Sequence, residues 1–175
     1  MIEYRLAQPF DAEAIANLHA RSWRENNRGA AHDAFLDDEL HAELLRMWCG
    51  RLNDAPGNQL IQLAVDGANL VGFICAYGAH DPQWGSYIDN LHVAHPLRRR
   101  GIGAALMRHG GRWLAAMYPR LAVYLLVLES NASARRFYER LGAQNAGVLI
   151  TKTHGGAVVR NCRYTWSGAE GLNVA

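Results

Sequence analysis

The sequence predicts an α/β chain with a mixed sheet, and three observations carry that reading. Apolar residues switch between a period of two and a period of three to four, a turn signal joins two strand-like runs, and an apolar run of strand length lies between two helical patterns. At 175 residues the chain suits one domain, residues 1–175.

The elements follow in order. Ile2 to Leu6 alternates apolar and charged residues as a half-buried strand does. Pro9-Phe10-Asp11 then opens a helix, with Asp11 expected as its N-cap and Phe10 packing on Ile15 as a hydrophobic staple. Ile15, Leu18, Ser22 and Trp23 continue one helical face, and Asn26 to Asp33, which holds Gly29, reads as a loop. A second helix recurs at Leu40, Leu44, Met47, Trp48 and Arg51, with Asp37 or Asp38 as its cap. Leu60 to Val65 and Leu70 to Tyr77 are strand-like and joined by Asp66-Gly67-Ala68-Asn69, a hairpin signal. A loop from His80 to Gly85 is expected to expose Trp84, and Tyr87 to Val93 forms the next strand.

Ile102, Leu106, His109 or Gly110, and Trp113 have helical spacing up to Pro119, although Gly110 and Gly111 weaken such a helix by roughly 1 kcal/mol each. Leu121 to Leu128 is apolar throughout, as in a strand covered on both faces. Asn131 caps a short helix ending at Gly142, and two last strands flank His154-Gly155-Gly156. In the final strand Val158, Arg160, Cys162, Tyr164 and Trp166 share a face.

Composition excludes several classes. Half of the residues are hydrophobic, 19% are charged and five are proline, which is the balance of a folded core and not of a disordered tail. No apolar run approaches the ~20 residues of a membrane-spanning helix, and Glu3 and Arg5 interrupt the first ten residues, so the cytoplasm is the expected location. Cys49, Cys75 and Cys162 form no CxxC pair, and the His92/His95 spacing lacks a third ligand, so no metal site is expected. The net charge of +2 is too small for binding nucleic acid through a bulk field, and the arginines lack interleaved aromatics. Its distribution is uneven: residues 1–97 hold six basic and thirteen acidic groups, whereas residues 98–140 hold nine arginines against Glu129 and Glu139. The second stretch is suited to an anion and the first to a cation.

Two segments carry chemistry. Arg98-Arg99-Arg100-Gly101-Ile102-Gly103-Ala104 opens a helix directly after a strand, where free N–H groups, the positive end of the helix dipole and close-approaching glycines make a seat for a pyrophosphate. No Gly-Lys-Ser/Thr follows, which excludes a Walker loop, and a third glycine is missing from a dinucleotide fingerprint. After the apolar strand, Asn131, Ala134 and Tyr138 fall three and four residues apart, so an amide, a gap and a phenol share one helix face.

Together these segments resemble the GCN5-related N-acetyltransferase (GNAT) superfamily. The stretch Leu91-His92-Val93 through Arg98 to Gly103 looks like the family's strand and R-x-x-G-x-G/A motif, and Asn131-x-x-Ala134-x-x-Phe137-Tyr138-x-x-x-Gly142 looks like its second motif. Ser22-Trp23-Arg24 is similar to a subset of bacterial members. The resemblance implies a mixed, mostly antiparallel central sheet of about seven strands, with helices on both faces and a splay between the fourth and fifth strands.

It further implies acetyl-CoA as donor. Backbone groups of Leu91, His92 and Val93 would bond the pantetheine arm, N–H groups from Arg99, Arg100, Gly101, Ile102, Gly103 and Ala104 would take the pyrophosphate beside Arg98, and Asn131, Ala134 and Tyr138 would close the other wall. Tyr138 is then the expected general acid at sulfur, since a phenol of reference pKa about 10 is protonated at neutral pH. Asp89 is the candidate base, with Tyr87 and Glu129 as alternatives. Trp23, Glu25, Asp33, Trp84 and Tyr87 are candidate walls for a primary amine of a small molecule or a protein N-terminus. A homodimer stays open, and the competing class is a non-catalytic acyl-CoA-binding or sensing module.

Overall fold

The computed structural model describes residues 1–27, 33–153 and 156–173. In chain order its elements are β1 (Ile2–Leu6), α1 (Ala12–Asn27), α2 (Leu40–Asn53), β2 (Gln59–Asp66), β3 (Asn69–Asp81), β4 (Gly85–Val93), α3 (Ile102–Met117), β5 (Val123–Leu128), α4 (Ala132–Arg140), β6 (Gln144–Lys152) and β7 (Val158–Trp166). The strands make one sheet in the order β1-β2-β3-β4-β5-β7-β6. Every neighbouring pair is antiparallel except β4 and β5, which are joined through α3 and run parallel. This is the mixed α/β sheet of seven strands that the sequence led us to expect.

Helices cover both faces, and the strand side chains alternate accordingly. Phe73 and Cys75 of β3 meet Ile15, Leu44 and Trp48 from α1 and α2, while Ile74 and Ala76 meet Leu106, Met107 and Leu114 from α3. Burial on two faces explains why the central strands read as continuous apolar runs. The last strand is buried at Cys162, Tyr164 and Trp166, whereas Val158 and Arg160 of the same face reach past the core into solvent. Gly110 and Gly111 serve close packing: a Cβ on Gly110 would lie 3.0 Å from Ile74 Cδ1, and one on Gly111 2.7 Å from Leu172 Cβ. Their helix-weakening cost is offset by letting α3 sit against the sheet and the C-terminal turn.

Local expectations fail where a side chain finds a better partner. Asp11 does not cap α1; its carboxylate takes two 2.7 Å bonds from Arg5 and one from the Gln8 N–H in a 3-10 turn that precedes the helix. Phe10 forms no staple, because it is 78% exposed and lies under the Arg5 guanidinium. Asp37 and Asp38 fall inside a π-helical turn over Phe35–Glu39, so neither caps α2. α1 runs through Asn26 to Asn27, beyond the expected loop start; the rest of that loop, 28–32, and His154-Gly155 lie outside the described residues. Trp84 is half-buried, because the Arg163 guanidinium stacks on its ring at 4.0 Å.

The feature that positions the site is the short contact between β4 and β5. Only Ser86↔Val123, Tyr87↔Tyr124 and Ile88↔Leu125 are paired, after which the strands diverge. The start of that contact is fixed at Gly85, whose φ of +80° suits glycine, and the adjacent Ser86 N–H donates to the Ala122 carbonyl at 2.9 Å. A Cβ on Gly85 would sit 2.2 Å from the Ala122 oxygen. Gly85→Ala is therefore expected to cost about 3 kcal/mol of stability, read from urea denaturation midpoints at constant slope.

Candidate active site

Where β4 and β5 part, a cleft of about 1230 Å³ runs through the molecule, bounded by α1 and α2 on one side and α3 and α4 on the other. That volume exceeds the usual ~300–1,000 Å³ of a site for one small ligand. Its β4 wall carries an irregularity: Cys75 pairs with Asn90 and Ala76 with Ile88, so Asp89 is the extra residue of a bulge. A bulge bends the strand and re-aims its side chain, and Asp89 lines the cleft.

The α3 side is built by backbone geometry. Arg99 and Gly101 both have positive φ, 64° and 80°, and the first helical bond runs from the Ala105 N–H to the Gly101 carbonyl. The N–H groups of residues 102–104 thus have no partner within the helix. Arg99, Gly101, Gly103 and Ala104 line the cleft, as do Leu91, His92 and Val93. Arg98 also reaches it, but Nε donates to the Val93 carbonyl at 3.3 Å and Nη2 to Glu25 at 3.0 Å, so this arginine ties the loop to α1. Arg100 is exposed away from the cleft, and Ile102 is a core residue at 3% exposure that contributes backbone alone.

On the opposite wall, Asn131 Oδ1 accepts from the Ala134 N–H at 3.1 Å and starts α4. The helix is held to β7 by Tyr164, whose hydroxyl donates to Glu139 and accepts from Arg135 Nε. Asn131, Ala134 and Tyr138 line the cleft together, on the shared face that their spacing requires. Tyr138 packs edge-on against Trp166, burial pushes its phenol above the usual range, and its hydroxyl has no hydrogen-bond partner among the described residues. It is a protonated donor at any physiological pH.

The acceptor side contains Trp23, Tyr87 and Asp89 of the expected residues. Glu25 is off the wall, engaged by Arg98 at the surface, and Trp84 belongs to the Arg163 stack. Of the alternative bases, Tyr87 is pushed upward by burial and by the Asp89 carboxylate next to it, while Glu129 pairs with Arg160 at 2.6 Å outside the cleft. Asp33 does not line the cleft either.

Sequence reading missed the polar groups behind these walls. The Trp48 indole N–H donates to His19 Nδ1 at 3.2 Å, the His19 ring lies 4.5 Å from that of His92, and His92 Nδ1 shares a 2.8 Å hydrogen bond with Ser22 Oγ. Arg51 bonds Asp89 at 2.6 Å. Its signal was present in the sequence, as a cation that continues the apolar stripe of the second helix. Across the cleft, Asn161 Nδ2 donates to Thr151 Oγ1 at 2.6 Å, a cross-strand pair that no spacing announces.

Comparison with known proteins places this fold and cleft in an acetyl-transferring class. A family model for the acetyltransferase (GNAT) family matches residues 12–143, and the chain belongs to that family. A probable N-acetyltransferase of Mycobacterium tuberculosis is 25% identical over 187 residues, covering 99% of this chain and 89% of that protein. Among solved structures, Arabidopsis thaliana NAA60 in complex with acetyl-CoA superposes with a TM-score of 0.69 at 19% identity, over 95% of this chain and 98% of that one. The PaiA N-acetyltransferase of Thermoplasma acidophilum in complex with coenzyme A gives 0.65 at 17% identity, over 92% and 98%.

Burial, reinforced by Arg98, lowers the His92 pKa to about 3, so the folded chain keeps this ring neutral. An unfolded chain protonates it near 6.5, and stability contributed by the neutral ring is full above that value and lost as pH falls toward 3. Urea midpoints are expected to decline between about pH 6.5 and 5, above the carboxylate range. His92→Gln should flatten that decline, leaving the smaller part due to His109, whose pKa burial also lowers.

Proposed function

We propose that this chain is an N-acetyltransferase that moves the acetyl group of acetyl-CoA directly to a primary amine, with both substrates in the cleft at once. The observation that carries the reading is the parting of β4 from β5 beside an open helix N-terminus, with Tyr138 on the facing wall. Family membership supports the acetyl transfer, and the coenzyme A and acetyl-CoA complexes of PaiA and NAA60 support the donor. The cleft volume suits two ligands better than one.

In this reading the N–H groups of Gly101 to Ala104, with Arg99, hold the pyrophosphate, and the open edge of Leu91 to Val93 bonds the amide-bearing arm. Acetyl-CoA supplies the acetyl group as a thioester. The amine nitrogen attacks its carbonyl carbon, the carbon–sulfur bond breaks, and the Tyr138 hydroxyl gives its proton to the departing sulfur. Asp89, at the apex of the bulge, receives the proton that the nitrogen sheds, through water. Trp23 and Tyr87 form the apolar flank of the amine site on the α1 and α2 side. The acceptor is a small-molecule amine or a protein N-terminus, in the cytoplasm; no helix among the described residues is long and apolar enough to cross a membrane.

Calorimetric titration with acetyl-CoA should give one-to-one binding, and a panel of primary amines with labelled acetyl-CoA should give transfer. Tyr138→Phe is expected to lower turnover about 10²-fold while acetyl-CoA affinity stays within about twofold. Binding without transfer to any amine would replace the enzyme by an acyl-CoA-sensing module. Absence of binding by folded protein would remove the donor assignment.

A further inference from the structure

We infer that Arg51 is a positioning residue for acetyl transfer: it clamps one oxygen of Asp89 and so orients the carboxylate toward the acceptor amine. The inference rests on the proposed transfer reaction and concerns how its acceptor side is built.

Arg51 and Asn90 bond the same oxygen of Asp89. Arg51 Nη1 donates to Oδ2 at 2.6 Å and Asn90 Nδ2 donates to Oδ2 at 2.5 Å, and the Tyr87 hydroxyl also interacts with the carboxylate. A carboxylate at a strand bulge can rotate about its terminal torsion, a broad and soft coordinate. Two donors on one oxygen remove that freedom, and hydrogen bonds to a charged acceptor are the strong ones.

The clamp is itself held from behind. The Arg51 guanidinium lies 5.0 Å from the Trp48 ring and 5.7 Å from the Tyr77 ring, and the Arg51 carbonyl accepts from Gln59 Nε2 at 3.0 Å. Trp48 is fully buried, with its indole N–H fixed on His19. A planar cation stacked on aromatic faces is a rigid support that a lysine ammonium reproduces only in charge. The other ionisable groups that feel the Asp89 charge are Cys75 and Tyr77 on β3, Tyr87 on β4 and Tyr124 on β5. Burial pushes all four upward and keeps them neutral, so Arg51 is the cation bonded to Asp89 among the described residues. Arg51 and Asp89 both line the cleft, so in this proposal the amine approaches the carboxylate beside the oxygen that Arg51 holds.

The test compares wild type, Arg51→Lys, Arg51→Gln, Asp89→Asn and the double variant on the amine that wild type acetylates fastest, at saturating acetyl-CoA. Arg51→Gln is expected to lower kcat for the amine about tenfold or more, with the KM for acetyl-CoA within about twofold. Arg51→Lys should recover part of the loss. In the Asp89→Asn background, Arg51→Gln should have little further effect, since a residue acting through Asp89 is silent once Asp89 is gone. Independent losses in the cycle, or a matching rise in the acetyl-CoA KM, would overturn the assignment and leave Arg51 a structural residue. If wild type acetylates no amine, the transfer reading itself fails. The clamp is then decided separately by titrating the Asp89 carboxylate ¹³C resonance with methylammonium chloride: a saturable shift that Arg51→Gln weakens supports it, and an identical response in both proteins refutes it.

Discussion

Two parallel strands that hydrogen-bond over three residue pairs and then separate create the demand on which the rest of this structure depends. Backbone donors and acceptors beyond Ile88 and Leu125 lose their neighbour, and such groups are costly when left unpaired away from water. The fold answers the demand at the far ends from within. Arg98 Nε takes the Val93 carbonyl, and the Asn131 N–H takes the Leu128 carbonyl at 2.9 Å. Each closing group belongs to the segment that follows its strand, so the loop into α3 and the start of α4 are fixed by the divergence. Between those ends the strand edges border the cleft, and this is where the acetyl donor's arm is proposed to lie.

That arrangement explains why the sequence was informative about some residues and silent about others. Period and turn chemistry are local, so the hairpin through Gly67 and Ala68, the two-faced burial of β5 and the Asn131 cap were all legible. Helix starts were less so, because Asp11 and Asp37 are competent caps in isolation. For Asp11 a bidentate arginine six residues earlier outbids the cap position, and that competition needs the return of β1 alongside the turn. Gly110 and Gly111 illustrate the same limit: their helix cost is written in the residue type, while the benefit appears only when Ile74 and Leu172 arrive from elsewhere.

The site divides along the same line. Gly101, whose positive φ precedes α3, stands in a contiguous motif, so its turn could be read directly. Arg51 and Asp89 are 38 positions apart, and the Ser22–His92 bond spans 70, so nothing in the spacing couples them. The bulge that brings Asp89 to the cleft arises from the register between β3 and β4, which the sequence of either strand does not contain.

Charge shows most clearly how folding revises a linear reading. The acidic first stretch and the arginine-rich second one are not two opposed fields. Glu25 is drawn to Arg98 across the boundary between them, Asp89 and Asp11 are matched within the first, and Glu129 of the second is matched by Arg160 from β7. Charges of both signs reach the cleft, and their placement matters more than their sum. On the α3 side the lining offers open N–H groups with Arg99, suited to phosphate oxygens; on the α2 side it carries the carboxylates of Asp89 and Glu43, and Arg140 and Lys152 line the wall across from them. A donor carrying phosphates and an acceptor arriving as an ammonium would be drawn to opposite mouths of the same cleft. In the proposed reaction the thioester and the nitrogen would then meet at the bulge between them, so the divergence of two strands would set where the two substrates enter and where they react.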